Sequence, residues 1–217
     1  VGKPLDAIFR LWQREVTRIG AIMVALVLFV FGTTLFLARE IGRRAQAEDK
    51  LEEMATTDAL TGLKNRRKFD AEMDVEWRRA ARNKTPVALL MIDADHFKTY
   101  NDSYGHQAGD QVLVGIAICI SDSIRRAGDC TARFGGEEFA VLLPGISTID
   151  ALGVAENIRR KVEHWSEDPV VMTVSIGVAS MIPVAGLDWS HLIEAADKAL
   201  YAAKANGRNQ SVVASVP

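Results

Sequence analysis

Residues 131–143 read Thr-Ala-Arg-Phe-Gly-Gly-Glu-Glu-Phe-Ala-Val-Leu-Leu. Thr131 to Phe134 and Phe139 to Leu143 carry the apolar and β-branched character of short strands, and Gly135-Gly136 between them signals a tight hairpin. Working outward, Val87–Asp93 (VALLMID) is a short, continuous apolar run, the pattern of a strand buried on both faces. Amphipathic helical spacing is found over Arg67–Arg82, Gln107–Arg126, Ile149–Trp165 and Trp189–Ala205. Val170–Ala179 reads as a further strand, and Gln210–Ala214 as an edge strand. Helices interleaved with strands, at least one pair of them a hairpin, give an α/β domain with a central sheet flanked by helices.

Upstream the character changes. No charge occurs from Ile19 to Ala38 (IGAIMVALVLFVFGTTLFLA). A helix of that length reaches ~30 Å, the thickness of a bilayer core, so one N-terminal transmembrane helix is expected there. Lys3, Arg10, Arg14 and Arg18 precede it and Arg39, Arg43, Arg44 and Lys50 follow it, so the positive-inside rule leaves the orientation open. Residues 39–55 read as a charged connector helix, with a weak heptad stripe over Leu37, Ile41, Arg44, Glu48, Leu51 and Ala55. The expected organisation is therefore a tail at 1–18, a span at 19–38, a connector at 39–55 and a globular domain at 56–217.

Composition narrows the function. The chain of 217 residues has a net charge of −2, which gives no electrostatic case for binding nucleic acid. The two cysteines, Cys119 and Cys130, lack metal-ligand spacing and read as reduced thiols.

Chemistry collects where strands end. Asp93 closes the VALLMID run, and Glu137 and Glu138 follow the glycine pair. If the two stretches are neighbours, carboxylates converge at one sheet edge, a donor set for a hard cation such as Mg²⁺. Strand side chains alternate faces, so Glu137 and Glu138 cannot both face Asp93 in a regular strand. Taken singly, each acid is equally a solvated loop carboxylate, and Gly135-Gly136 only a hairpin.

The blocks taken together resemble a known family. Arg133-Phe134-Gly135-Gly136-Glu137-Glu138-Phe139 resembles the signature of GGDEF-type diguanylate cyclases in its GGEEF form. Asp58-Ala59-Leu60-Thr61-Gly62-Leu63-Lys64-Asn65-Arg66-Arg67 resembles the family's opening motif. Asp93-Ala94-Asp95-His96-Phe97-Lys98, with Asn101-Asp102, Gly105-His106 and Gly109-Asp110, resembles its second block. Ser175-Ile176-Gly177-Val178-Ala179 and the run from Ala196-Asp197 to Gly207-Arg208-Asn209 resemble its closing blocks.

The resemblance implies a palm-like α/β fold similar to class III nucleotidyl cyclases. It implies a reaction in which the 3′-hydroxyl of one GTP attacks the α-phosphate of another, yielding cyclic di-GMP and pyrophosphate, with two domains meeting as a homodimer. Asp93, the carbonyl of Ala94, and Glu137 would hold two Mg²⁺, with Mn²⁺ as the alternative ion. Gly135, Gly136 and Glu138 complete the catalytic turn; Glu138 would either support the metal site or assist deprotonation. Asn101 and Asp110 would read guanine, with helix capping as their structural alternative. Lys204 and Arg208, placed four apart on one face of the last helix, would clamp phosphates with the backbone N–H groups of Phe97 and Lys98. His106 receives no role.

Arg126-Ala127-Gly128-Asp129 resembles the family's product-binding inhibitory site, with Arg126 pairing phosphate and Asp129 accepting from the base; a surface salt bridge is the alternative. Many relatives carry a further arginine where this chain has Asn157. Since GTP is cytosolic, the domain is expected on the cytoplasmic side of a bacterial inner membrane, with 1–18 outside as the tail of an extracytoplasmic sensor. Two other readings compete: a domain that binds GTP or cyclic di-GMP without turnover, and a cyclase acting on a single nucleotide.

Overall fold

The computed structural model describes residues 12, 16–20, 23, 26–41, 56–124, 126, 128–165, 172–184 and 186–214. The chain divides into two units, residues 1–54 and 55–217. In the first, 26–41 is one helical stretch. Its apolar side chains, among them Leu26, Phe29, Phe31 and Phe36, are exposed. Among the described residues no helix is long and apolar enough to cross a membrane. The transmembrane helix expected at 19–38 therefore finds no support in the described residues, in part because Ala21, Ile22, Val24 and Ala25 lie outside them. Residues 42–55, most of the expected connector, also lie outside.

The second unit is built on a six-stranded sheet of order β1-β3-β4-β2-β5-β6. The strands are β1 (Lys64–Asn65), β2 (Val87–Ala94), β3 (Cys130–Gly135), β4 (Glu138–Pro144), β5 (Val174–Met181) and β6 (Ser211–Val213). The helices are α1 (Arg66–Asn83), α2 (Phe97–Tyr104), α3 (His106–Ser121), α4 (Thr148–Trp165) and α5 (Ser190–Ala205). β2 runs antiparallel to both β4 and β5, while β1–β3 and β5–β6 are parallel pairs.

β2 lies inside the sheet with every residue buried. Its alternation divides the core. Ala88, Leu90 and Ile92 join Ile116, Ile158 and Val162 of α3 and α4 on one face. Val87, Leu89 and Met91 join Phe69, Met73, Leu192 and Leu200 of α1 and α5 on the other. A strand covered on both faces is a near-continuous apolar run, which is why VALLMID shows no period of two before Asp93. Asn65 caps α1 by accepting from the Lys68 N–H (3.0 Å), and the helix ends where Lys84 turns left-handed (φ 54°).

Several expected bounds shift. The stretch 107–126 is helical only to Ser121, and a separate short helix, α2, precedes it. β5 begins at Val174; Val170 and Val171 lie outside the described residues. Cys119 and Cys130 are both free and buried. Burial, with Glu72 beside it, pushes the Cys130 thiol up to about 12, so it stays protonated and unreactive.

Candidate active site

Antiparallel pairing of β2 with β4 and β5 brings the end of β2, the β3–β4 turn and the start of β5 to one edge. Asp93 sits opposite Glu138 on β4 and Ser175 on β5. The hairpin is not the one its glycines suggest. Gly135 stays in β3, paired with Glu138, and the turn proper is Gly136-Glu137, with Gly136 left-handed (φ 53°). The register slips between Arg133 and Gly135, so a bulge absorbs one residue.

This irregularity answers the alternation problem. Glu137 leaves the strand for the turn, and both glutamates come within electrostatic reach of Asp93. The Asp93 carboxyl is raised above its ordinary value by burial; Lys204 opposes the rise, while Glu137 and Asp95 add to it. Glu138 is raised by burial and by Asp93, with Lys204 again opposing. Lys204 Nζ lies 2.7 Å from Asp93 Oδ2. The Glu137 carbonyl accepts from the Ala94 N–H (3.3 Å), binding the turn to the strand end.

Arg133 fixes the turn from the other side. Its Nε donates to the Gly136 carbonyl (2.9 Å), and its Nη1 donates to Asp58 Oδ1 (3.2 Å) and Oδ2 (3.3 Å). Asp58 is desolvated, but Thr61 and Arg133 outweigh that and lower its carboxyl.

The other expected groups are carried on α2, on α3 and on the turn after α5. His96, left-handed at φ 57°, precedes α2 and provides no side-chain cap. The first N–H groups of a helix, here those of Phe97 and Lys98, have no intrahelical acceptor and face anions well. Asn101 on α2 holds a buried Oδ1 with no hydrogen-bond donor. That oxygen packs on Gly109 of α3, where an added Cβ would stand 1.8 Å from it. Asp110, exposed, is the next residue along α3.

Arg208 corrects the expectation that it shares a helical face with Lys204. α5 ends at Ala205, and Gly207, Arg208 and Asn209 follow with φ of 109°, 63° and 45°. A glycine that no helix favours breaks the run, and Arg208 is carried on a left-handed turn beyond it.

The donor chemistry suits a hard divalent cation. Buried Asp93, the turn glutamate Glu137 and the Ala94 carbonyl are all oxygen donors, and Mg²⁺ sites use one or two carboxylates completed by waters and phosphates. Among the described residues there is no group of three or more His, Cys, Asp or Glu side chains set to hold a metal ion.

Two residues without an assigned role also belong here. A cleft of about 410 Å³ beside Glu138 and Lys204 is walled by Arg66, Phe134, Asp197 and Tyr201. Arg66 lies over the Phe134 ring at 4.3 Å, and burial raises Asp197 while Arg66 opposes. Arg66 and Asp197 stand within the quoted motifs, the one signal that could have marked them. A larger cleft of about 910 Å³, walled by Met181, Ile182, Leu187 and His191, lies at the other end of β5 and shares no residue with the acids. The expected catalytic residues lie at the charged cluster, not at the larger cleft.

Arg126 and Asp129 lie off this site. Arg126 is exposed beside a cleft of about 450 Å³ that Glu76, Arg79 and Asn83 also line. The Asp129 N–H closes a turn on the Arg126 carbonyl (3.1 Å). Its side chain is 4% exposed, its Oδ1 is buried without a donor, and the nearest guanidinium nitrogen of Arg126 is 4.0 Å away. Burial raises its carboxyl.

A mixed sheet between two helical layers, with clustered acids and a lysine at one edge, defines an α/β domain whose edge chemistry suits a cation and phosphates. Residues 55–210 match the family described as Diguanylate cyclase, GGDEF domain, and the chain belongs to it. It is 41% identical over 169 residues to the response regulator PleD of Caulobacter vibrioides, covering 74% of this chain and 36% of PleD. It is 36% identical over 213 residues to diguanylate cyclase DgcM of Escherichia coli O157:H7, covering 98% of this chain and 51% of DgcM. The chain thus spans about a third to a half of these relatives. The coiled coil and GGDEF domain of DgcB from Caulobacter crescentus, crystallised with c-di-GMP, superposes with a TM-score of 0.70 at 36% identity. That match covers 82% of this chain and 95% of the DgcB chain.

Proposed function

We propose that this domain is a diguanylate cyclase that condenses two GTP into cyclic di-GMP with release of pyrophosphate. The observation that carries the reading is the convergence of Asp93, Glu137, Glu138 and Lys204 at one sheet edge, on a chain of this family. Phosphoryl transfer of this kind needs positioning and charge neutralisation more than covalent help.

In this reading Asp93, Glu137 and the Ala94 carbonyl hold the divalent cation, Mg²⁺ or alternatively Mn²⁺. When bound, the ion neutralises phosphate charge and lowers the pKa of the attacking 3′-hydroxyl. Glu138, its carboxyl raised by burial and by Asp93, is read as the group that supports the metal site or assists deprotonation of the 3′-hydroxyl. Asn101 Oδ1, a buried acceptor without a donor, is matched by a guanine N–H, and Asp110 accepts a second. Phe97 and Lys98 offer backbone N–H groups to the phosphates, and Lys204 and Arg208 add positive charge. Each domain holds one GTP, so two copies must face each other as a homodimer.

The Arg126–Asp129 pair, with Arg126 lining the cleft of about 450 Å³, is read as the feedback site for cyclic di-GMP, supported by an exposed guanidinium beside a buried acceptor. The DgcB relative was crystallised with c-di-GMP. The charge-free stretch Ile19–Ala38 of the sequence is the ground for reading a membrane anchor, with the catalytic domain on the cytoplasmic side.

The test is nucleotide turnover. With Mg²⁺, GTP should be consumed with pyrophosphate release, ATP should not compete, and activity should rise faster than linearly with enzyme at high dilution. GTP binding without pyrophosphate release would favour a silent binding domain instead.

A further inference from the structure

The turn that carries Arg208 does not hold itself. Arg208 and Asn209 are both left-handed (φ 63° and 45°), a region that side-chain-bearing residues avoid unless their surroundings impose it. The surroundings here are explicit. The Asn209 N–H donates to Asp95 Oδ2 (3.1 Å). Its side-chain Oδ1 accepts from Arg159 Nη1 (2.8 Å), and its Nδ2 donates to Glu163 Oε1 (2.9 Å).

Both anchors are themselves fixed. Asp95, buried, accepts from Ser175 Oγ (2.7 Å) and Thr173 Oγ1 (2.8 Å) at the start of β5. Arg159 on α4 pairs with Glu156 (3.1 Å) and Glu163 (2.9 Å), and its side chain is 15% exposed. The segment that bears Asp93 thus also holds, two residues on, the turn that bears Arg208. Arg159 is committed to two carboxylates and an amide, which leaves it unsuited to bind phosphate directly.

We infer that Arg159 and Asn209 are positioning residues for the phosphate-binding Arg208: they fix its backbone turn and act on the nucleotide only through it. This rests on the cyclase reading above. An ion cluster that merely fastens α4 to the C-terminal loop would affect stability without regard to Arg208; a positioning network must be coupled to it.

The experiment is a double-mutant cycle on the full chain. GTP kinetics are measured for the parent, Arg208→Ala, Asn209→Gly, and the two combined, with circular dichroism as the check on folding. Asn209→Gly keeps the left-handed backbone accessible and removes both amide contacts. It should lower kcat/KM roughly 10-fold, the effect of one lost charged hydrogen bond, and add little once Arg208 is already alanine. Arg159→Lys, which keeps the charge but loses the guanidinium fork, should follow Asn209→Gly in kinetics while melting near the parent. It replaces Asn209→Gly in the cycle if that variant does not fold. Losses that multiply in the double variant, or an Asn209→Gly variant with parental kinetics, would overturn the inference. If the parent binds GTP by calorimetry but makes no product, the cyclase reading fails. The same cycle is then read on the GTP dissociation constant, so the two failures are told apart.

Discussion

Lys204 Nζ lies 2.7 Å from Asp93 Oδ2, tying the last turn of α5 to the end of β2 inside a cluster of acids. The ammonium offsets part of the repulsion that, with burial, raises Asp93 and Glu138. A bound divalent cation would relieve the same repulsion more completely. Asp93→Asn should therefore fold, lose turnover by ~10³-fold as several kcal/mol of charge stabilisation disappear, and lose the rise in melting temperature that Mg²⁺ gives the parent. Turnover and thermal melts with and without Mg²⁺ check this. Near-normal turnover in the variant would remove Asp93 from the metal site.

Glu138 gives a pH dependence of definite sign. Its carboxyl is raised in the fold above the ordinary 4.5, so between that value and the raised one the native state binds more protons than the unfolded chain. Stability is then fully present below about 4.5 and falls as pH rises through the window. Glu138→Gln escapes this loss. In chelator, its melting temperature should equal the parent's at pH 4 and exceed it modestly at pH 7, since the group is partly open to solvent. A variant that melts below the parent at pH 7 would show that Glu138 is held by favourable contacts instead.

Gly109 makes room for Asn101. An alanine Cβ would stand 1.8 Å from Asn101 Oδ1, so the amide must move out of its seat. Gly109→Ala should cost about 1–3 kcal/mol of stability by overpacking. It should also raise the KM for GTP more than it lowers kcat, because guanine loses an acceptor. Steady-state kinetics with GTP and with inosine triphosphate, which lacks the 2-amino group, separate the two effects. An unchanged KM for GTP would detach Asn101 from base reading.

Arg126 tests the feedback site. Arg126→Ala should keep initial rates near the parent's, because none of the contacts found for Arg126 involves Asp93, Glu138 or Lys204. Inhibition by added cyclic di-GMP should weaken by ~1.5–3 kcal/mol, as for other charged hydrogen bonds. Inhibition constants for both proteins decide it. Strong inhibition that survives the substitution would make Arg126–Asp129 a turn-closing pair and nothing more.

Much of the fold could be read from local pattern because one strand dominates it. VALLMID is apolar at every position up to Asp93, and the structure buries it on both faces. The short helix α2 buries none of its residues, so no apolar period announces it. The hairpin turn is Gly136-Glu137, one residue beyond the one the glycine pair suggests, because the bulge at Phe134 leaves no trace in composition. The i, i+4 spacing that puts Arg208 on a helical face is blind to what Gly207 does to the backbone. The bridge from Arg133 to Asp58 joins residues 75 apart, beyond any local pattern. The motifs nevertheless contained every residue that the structure gathers at the acidic edge.

The most direct measurement is mass spectrometry of the nucleotide products after the full chain is incubated with GTP and Mg²⁺. The expected result is cyclic di-GMP with two pyrophosphates per molecule formed, and none from Asp93→Asn. Cyclic GMP as the product, or GTP recovered intact from folded protein at high concentration, would contradict the diguanylate cyclase assignment.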